Sequence, residues 1–213
     1  FCSNLQKMTK KERAKIVMTE LEKIYPEVPI PLNHKNAYEL LVAVALSAQT
    51  TDKKVNEVTP KLFSVAPNPQ KMAILEESEI KELIKEIGLS TTKAKNLKLM
   101  ANQLLEKYNG EVPATFEDLE NLAGVGHKTA SVVMSQAFGF PAFPVDTHIH
   151  RLMKQWKLTE GKNVVQTEND AKKLFPKETW NKLHLQIIFY GREYSPARGN
   201  QERDYITKIL FEG

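Results

Sequence analysis

Apolar residues recur at helical spacing through nearly the whole chain, and no convincing strand alternation interrupts them. In residues 10–24, Ala14, Val17, Met18, Leu21 and Ile24 fall on one face, and the run Tyr25-Pro-Glu-Val-Pro29 then stops the helix. Residues 37–47 (Ala37, Leu40, Leu41, Val42, Ala43, Val44, Ala45, Leu46) are apolar nearly all round, the mark of a helix buried inside a helical domain. Residues 52–65 group Val55, Val58, Leu62 and Phe63 and close at Pro67-Asn-Pro69. Ser78 is expected to cap a short helix carrying Ile80, Leu83, Ile84 and Ile87, with Gly88 as its left-handed C-terminal residue. A longer helix over 92–108 stops at Asn109-Gly110. The expected fold class is all-α.

The stretch richest in chemistry follows. Thr115-Phe-Glu-Asp118 has the form of a capping box, and Phe116, Leu119 and Leu122 share one apolar face. Leu122-Ala-Gly-Val-Gly-His-Lys128 then reads as a glycine turn into a second helix with a lysine in its first turn. Gly124 and Gly126 permit positive φ and close approach of a partner, so the turn can present several amides at a helix start, a ready phosphate site. Beyond Gly139 and Pro141 an extended loop leads to Asp146, eighteen residues after Lys128, in Pro144-Val-Asp-Thr-His148. Asp146 is a good N-cap for a helix bearing Ile149, Leu152, Met153 and Trp156. Amphipathic stretches at 166–175 and 178–190 bring the chain to Gly191-Arg192, and Tyr205, Ile206, Ile209 and Leu210 can form one more apolar face. Trp156 and Trp180 read as core.

Composition narrows the picture. The 213 residues suit one large domain or two small ones. Residues 30–140 hold 12 Lys and Arg against 13 Asp and Glu, whereas the two flanks together hold 18 against 13. That flanking excess suits a polyanionic partner, though an ordinary soluble surface could carry it too. Cys2 is the only cysteine, which excludes an internal disulfide and any Cys₄ metal or iron–sulfur site built from this sequence. No apolar run approaches the ~20 residues that span a bilayer, so no membrane partner is expected. No signal peptide is apparent, and a cytoplasmic protein is the expectation; the start at Phe1 points to a trimmed chain.

Together, the hairpin, Lys128 and Val145-Asp-Thr-His148 resemble the helix-hairpin-helix and aspartate loop of the endonuclease III branch of DNA glycosylases. Leu46-Ser-Ala-Gln-Thr-Thr-Asp52, Ile87-Gly-Leu89, Asn109-Gly-Glu-Val-Pro113 and Tyr190-Gly-Arg192 resemble family segments in the same order, so the likeness spans roughly residues 10 to 192. It implies two helical lobes, 30–140 as a contiguous bundle and 1–29 joined with 141–213, with the active site in the cleft between them. It further implies a monomer acting on double-stranded DNA with damaged bases or abasic sites, in the bacterial cytosol or nucleoid. Lys128 would attack C1′ of the damaged nucleotide, release the base through a Schiff base and cut the strand by β-elimination, with Asp146 accepting a proton or stabilising the developing charge. Oxidised or ring-saturated pyrimidines are the implied substrates. Gln49 and Leu89 would fill the gap left by the flipped nucleotide. Amides near Gly124, Gly126 and His127 would bind phosphate, and the carbonyls of Glu120, Leu122 and Val125 would hold a monovalent cation.

Each residue also has a plainer reading. A lysine near a helix start is ordinarily a solvated charge. To act at neutral pH its pKa must fall from about 10.4 toward 7, roughly 4 kcal/mol, which asks for the helix N-terminus and a desolvated, partly buried setting. Asp146 can be a cap alone, Gln49 can simply end the buried helix, and Leu89 can be the contact beside Gly88. His148 and His150 lack a third ligand and read as packing or capping residues. Many relatives carry the first of four cluster cysteines shortly after the Gly-Arg; Ser195 stands there, and no cysteine follows. An iron–sulfur cluster is therefore excluded by ligand count, the C-terminal lobe is expected to be held by packing, and Arg198 or Arg203 is expected to reach DNA phosphate in place of the cluster loop. Ala123 stands where proline is usual and His127 where arginine is common, which weakens the expected hairpin contact. The rivals are a glycosylase of the same superfamily with mismatch or adenine specificity, an AP lyase with little glycosylase activity, and a non-catalytic DNA-binding hairpin protein. Relatives that only remove the base generally lack the lysine, which favours the bifunctional reading.

Overall fold

The structure, a computed structural model, describes residues 7–212, so Cys2 lies outside the described residues. The described residues form helices and no strand. Helices α1 (Lys10–Ile24), α2 (Ala37–Leu46), α3 (Asp52–Val65) and α4 (Pro69–Ala73) open the chain, followed by α5 (Glu77–Leu83), α6 (Ser90–Tyr108), α7 (Phe116–Glu120) and α8 (His127–Phe138). Then come α9 (Thr147–Gln155), α10 (Val164–Leu174), α11 (Trp180–Glu193), entered through a 3₁₀ turn at Lys177–Thr179, and α12 (Tyr205–Phe211).

Local chemistry sets most of these starts. Thr9, Asn36, Thr51, Asn68, Thr115, Asp146 and Asn163 each accept the amide three residues on, giving their helices a satisfied first turn. Helices α6 and α8 differ: they begin at Leu89 and Gly126 with no side-chain cap. Two expectations need correction. Ser78 lies inside α5, whose N-cap is Glu76; the Glu79 carboxylate accepts the Glu76 amide at 3.1 Å, and two acids in the first turn complement the helix dipole. Gly88 is not left-handed, because the reversal into α6 falls one residue later, at Leu89, with φ 60°. Helix α4 was masked by its prolines, although Asn68 as cap and Pro69 in the first turn are a proper helix start.

Two compact units result. In the unit Ile30–Phe140, α2 is the axis: Tyr38 to Val44 and Leu46 are buried, and α3, α6 and α8 pack around them. Each fully buried Leu or Val there contributes about 1.5–3 kcal/mol. The other unit joins the residues up to Pro29 with those from Pro141 onward. Its core sets Ala14, Val17 and Leu21 of α1 with Phe143, Trp156, Ile187 and Tyr190, and α9 packs on α10 and α11.

Ile206 and Leu210 of α12 are buried, as the apolar face requires, but packing is joined by a polar hub that periodicity does not reveal. Buried Asp204 accepts from Tyr190 Oη (2.6 Å), Gln155 Nε2 (2.6 Å), Ser195 Oγ (2.8 Å) and Thr207 Oγ1 (2.8 Å), and it caps α12 through the Thr207 amide. Trp156 Nε1 donates to Thr207 Oγ1 at 3.0 Å, which ties α9 to α12. Ser195, at the position where the family's first cluster cysteine is expected, is fully buried in this network.

Candidate active site

The α7–turn–α8 hairpin is held from within and from below. Thr115 Oγ1 accepts the Asp118 amide at 3.1 Å, while the Asp118 carboxylate takes the hydroxyls of Thr115 (2.8 Å) and Tyr108 (3.1 Å). Leu119 and Leu122 are buried, and the turn closes with Val125 N–H donating to Leu122 O at 3.2 Å. Gly124 has φ +76°, and a Cβ there would lie 3.1 Å from Asn96 Cβ, so both conformation and close approach to α6 require glycine. Gly126 does not use positive φ: it is extended, at φ −96°, and a Cβ there would meet nothing within 4 Å. Its missing side chain leaves one side of the backbone open. Ala123, standing in for the proline usual in the family, has its amide held by Gln103 Oε1 of α6 at 2.8 Å.

At the start of α8 the side chains diverge. His127 Nδ1 lies 3.2 Å from Glu120 Oε1 and its ring stacks on Phe116 (centroids 6.1 Å, 25°), so the side chain is drawn back across the hairpin. Lys128, in the first turn, is exposed. The partial burial expected of it is not found, because Ala130, Val133 and Met134 are the positions of α8 that face the core. Without a side chain on Gly126, the first-turn amides of α8 have no side-chain cap and the dipole adds positive potential there.

Gln49 and Leu89 are both exposed, and both hold left-handed backbone, φ 58° and 60°. Leu89 is 58% exposed, so it is not a packing contact at a helix end. The two loops lie side by side: a Cβ on Gly88 would be 3.6 Å from Thr50 Oγ1 and 3.8 Å from Gln49 O. A third residue, missed from sequence, lies beneath them. Lys93 is buried on α6 and its ammonium donates to Leu46 O (3.0 Å), Ala48 O (2.6 Å) and Thr50 Oγ1 (3.2 Å). Its signal was a lysine in register with the buried stripe Leu97, Met100 and Leu104.

In the other unit, half-buried Asp146 caps α9, its Oδ1 accepting the Ile149 amide at 2.8 Å. One turn on, Arg151 Nη2 contacts His148 Nδ1 at 3.0 Å and donates to the Ser195 carbonyl; burial lowers its pKa, opposed by the carboxylates of Asp146 and Asp204. His150 Nδ1 pairs with Thr167 Oγ1 at 2.8 Å, and no group of three metal-ligating side chains occurs among the described residues. Arg198 and Arg203 are exposed, the latter with its guanidinium 4.7 Å from the Tyr194 ring centroid.

Residues 42–177 match the model of the HhH-GPD superfamily of base excision DNA repair proteins. The chain belongs to this family. Endonuclease III of Haemophilus influenzae is 44% identical over 205 residues, 96% of this chain and 97% of that protein. Endonuclease III of Synechocystis sp. is 41% identical over 198 residues, covering 92% and 90% of the two chains. Among solved structures, a trapped endonuclease III–DNA covalent intermediate is similar with a TM-score of 0.88 and 40% identity, covering 91% of this chain and 92% of its own. A non-covalent endonuclease III–DNA complex has a TM-score of 0.89 at 37% identity, covering 97% and 100%. The matched HhH-GPD span takes in Gln49, Leu89, the hairpin, Lys128 and Asp146, and it ends before Arg198 and Arg203. No helix among the described residues is long and apolar enough to cross a membrane.

Proposed function

We propose that this HhH-GPD protein is a bifunctional DNA glycosylase and AP lyase of base excision repair, acting as a monomer on oxidised or ring-saturated pyrimidines in double-stranded DNA. The observation that carries the proposal is Lys128 in the first turn of a helix that starts without a side-chain cap, directly after the Gly124–Gly126 turn, in a chain 44% identical to an Endonuclease III.

In this reading the hairpin amides at Gly124, Gly126 and His127 take a phosphate, a contact that positions the duplex without reading sequence. The damaged nucleotide leaves the stack. Lys128 is solvated in the free protein, so its desolvation comes from the DNA that covers it. The neutral amine forms a bond to C1′ as the bond from C1′ to the base breaks, and the departing base takes up the proton that the amine gives up through Asp146. Opening of the sugar at O4′ gives the Schiff base, and loss of the 2′ proton then breaks the C3′–O3′ bond. Asp146, fixed in direction by its cap bond to Ile149, accepts the proton released from the amine and stabilises the positive charge at C1′. Gln49 and Leu89 fill the vacated stack, the amide meeting the orphaned base.

The carbonyls of Glu120, Leu122 and Val125 belong to the end of α7 and the turn after it, where helix-end carbonyls lack intrahelical donors; Leu122 O takes one amide at 3.2 Å and keeps a lone pair. They fit a monovalent cation, which would add positive charge beside the phosphate. The residues do not fit an iron–sulfur cluster, since the sequence has one cysteine, and the hub on Asp204 occupies the corresponding stretch. We assign Arg198 and Arg203 to phosphate contacts from that stretch.

One observation, the exposure of Lys128, favours a second reading in which the lysine only touches phosphate in a non-catalytic hairpin protein. Borohydride trapping on abasic-site DNA separates the two. A covalent adduct that disappears in Lys128→Gln supports the enzyme, and absence of an adduct with the unaltered protein rejects it. Excision from a panel of duplexes holding oxidised pyrimidines, mispaired thymine or mispaired adenine then decides the base.

A further inference from the structure

Gln49 and Leu89 share an unusual backbone. Both are left-handed without being glycine, a conformation that costs roughly 1 kcal/mol or more at each position and persists only where neighbours impose it. Loop 47–51 has few restraints of its own: Thr50 N–H donates to Ser47 O at 3.1 Å, and Thr51 caps α3. What imposes the shape is Lys93. An ammonium has three N–H donors, and all three are used within this loop region, on Leu46 O, Ala48 O and Thr50 Oγ1, the atoms that flank Gln49 on both sides. The clamped loop lies in turn against the second one, since a Cβ on Gly88 would be 3.6 Å from Thr50 Oγ1 and 3.8 Å from Gln49 O. One buried side chain thus clamps the first loop, and the second loop lies beside it.

We propose that Lys93 is a positioning residue for strand gap filling. It holds Gln49 and Leu89 as one preformed pair, so that neither loop has to be ordered when the nucleotide leaves the stack. The gain is preorganisation: conformational freedom is removed in folding rather than at the moment of extrusion. Lys93 touches neither the sugar nor the base, and it acts through the residues it holds. The inference rests on the gap-filling roles given to Gln49 and Leu89 above.

The test compares two substrates. Excision of a damaged pyrimidine from a duplex needs extrusion and gap filling; borohydride trapping at a preformed abasic site in single-stranded DNA needs neither. Lys93→Met is expected to lower duplex excision on the order of tenfold or more, in line with what small misplacements cost, and to leave single-strand trapping within about twofold. Thr50→Val removes one acceptor without emptying a buried site, and should lower duplex excision about two- to threefold with trapping unchanged. In a Gln49→Ala, Leu89→Ala background, Lys93→Met should add little, because the residues it positions are already gone. Equal losses on both substrates, no loss on either, or a full effect of Lys93→Met in that background overturns the positioning role. Failure of the unaltered protein to trap at an abasic site in duplex DNA overturns the lyase reading instead, so the two failures are distinct.

Discussion

At the scale of single residues, the two hairpin glycines make opposite demands. Gly124→Ala must place a Cβ on a φ +76° backbone and within 3.1 Å of Asn96, so it should destabilise the protein by roughly 1–3 kcal/mol, read by urea denaturation. Gly126→Ala meets open space at φ −96°, so its unfolding midpoint should hold, while the proposed phosphate contact predicts that its affinity for abasic-site duplex falls as the new methyl group obstructs the first-turn amides. Loss of stability in the second variant with DNA affinity intact would reverse the assignment. Much of the candidate site was legible in the sequence for a local reason: a glycine turn followed by a lysine in the first turn of a helix lies within seven residues, Leu122 to Lys128. The exposure of Lys128 was not legible, since which side of α8 faces the core is decided by α2 and α7. Lys93 was hidden for the same reason. Its acceptors lie 43 to 47 residues away, and no local pattern connects them.

Elements show the same division. Helices α1 and α3 begin where Thr9 and Thr51 cap them and end before Pro26 and Pro67, signals that a few neighbouring residues carry. The C-terminal segment is the contrary case, because Gln155, Tyr190, Ser195 and Thr207 meet at Asp204 only after α9, α11 and α12 have packed. Removing the hub carboxylate leaves several buried donors without an acceptor. Asp204→Ala should therefore cost about 3 kcal/mol or more, and Asp204→Asn less, since the amide keeps one acceptor oxygen. The exposed arginines of the same segment should behave in the opposite way. Arg198→Ala combined with Arg203→Ala should leave stability within about 0.5 kcal/mol and flatten the slope of log affinity for DNA against log salt by up to about 2, the value for two lost phosphate contacts. An unchanged slope would remove both residues from the DNA contact.

For the whole molecule, the all-helical class followed from period alone, because nearly every segment repeats its apolar residues at three and four. What period cannot show is the protonation cost of a buried ring. His184 of α11 is fully packed: its Nδ1 lies 2.9 Å from Trp180 O, its Nε2 is buried without a hydrogen-bond partner, and its ring is 6.2 Å from that of Phe143. Burial lowers its pKa from 6.5 to about 4, against smaller opposing effects of the Trp180 carbonyl and the Asp146 carboxylate. The sign follows from proton uptake. Between pH 6.5 and about 4 the unfolded chain binds a proton at this ring and the folded chain does not, so stability falls as the pH is lowered through that window. One such site shifts the folding equilibrium by up to roughly tenfold per pH unit. His184→Gln keeps an uncharged polar group there at every pH, so its urea midpoint should be flatter than that of the unaltered protein between pH 6.5 and 4.5. Identical pH profiles for the two proteins would mean that His184 is protonated in the folded state, and that the ring finds an acceptor as the pH falls.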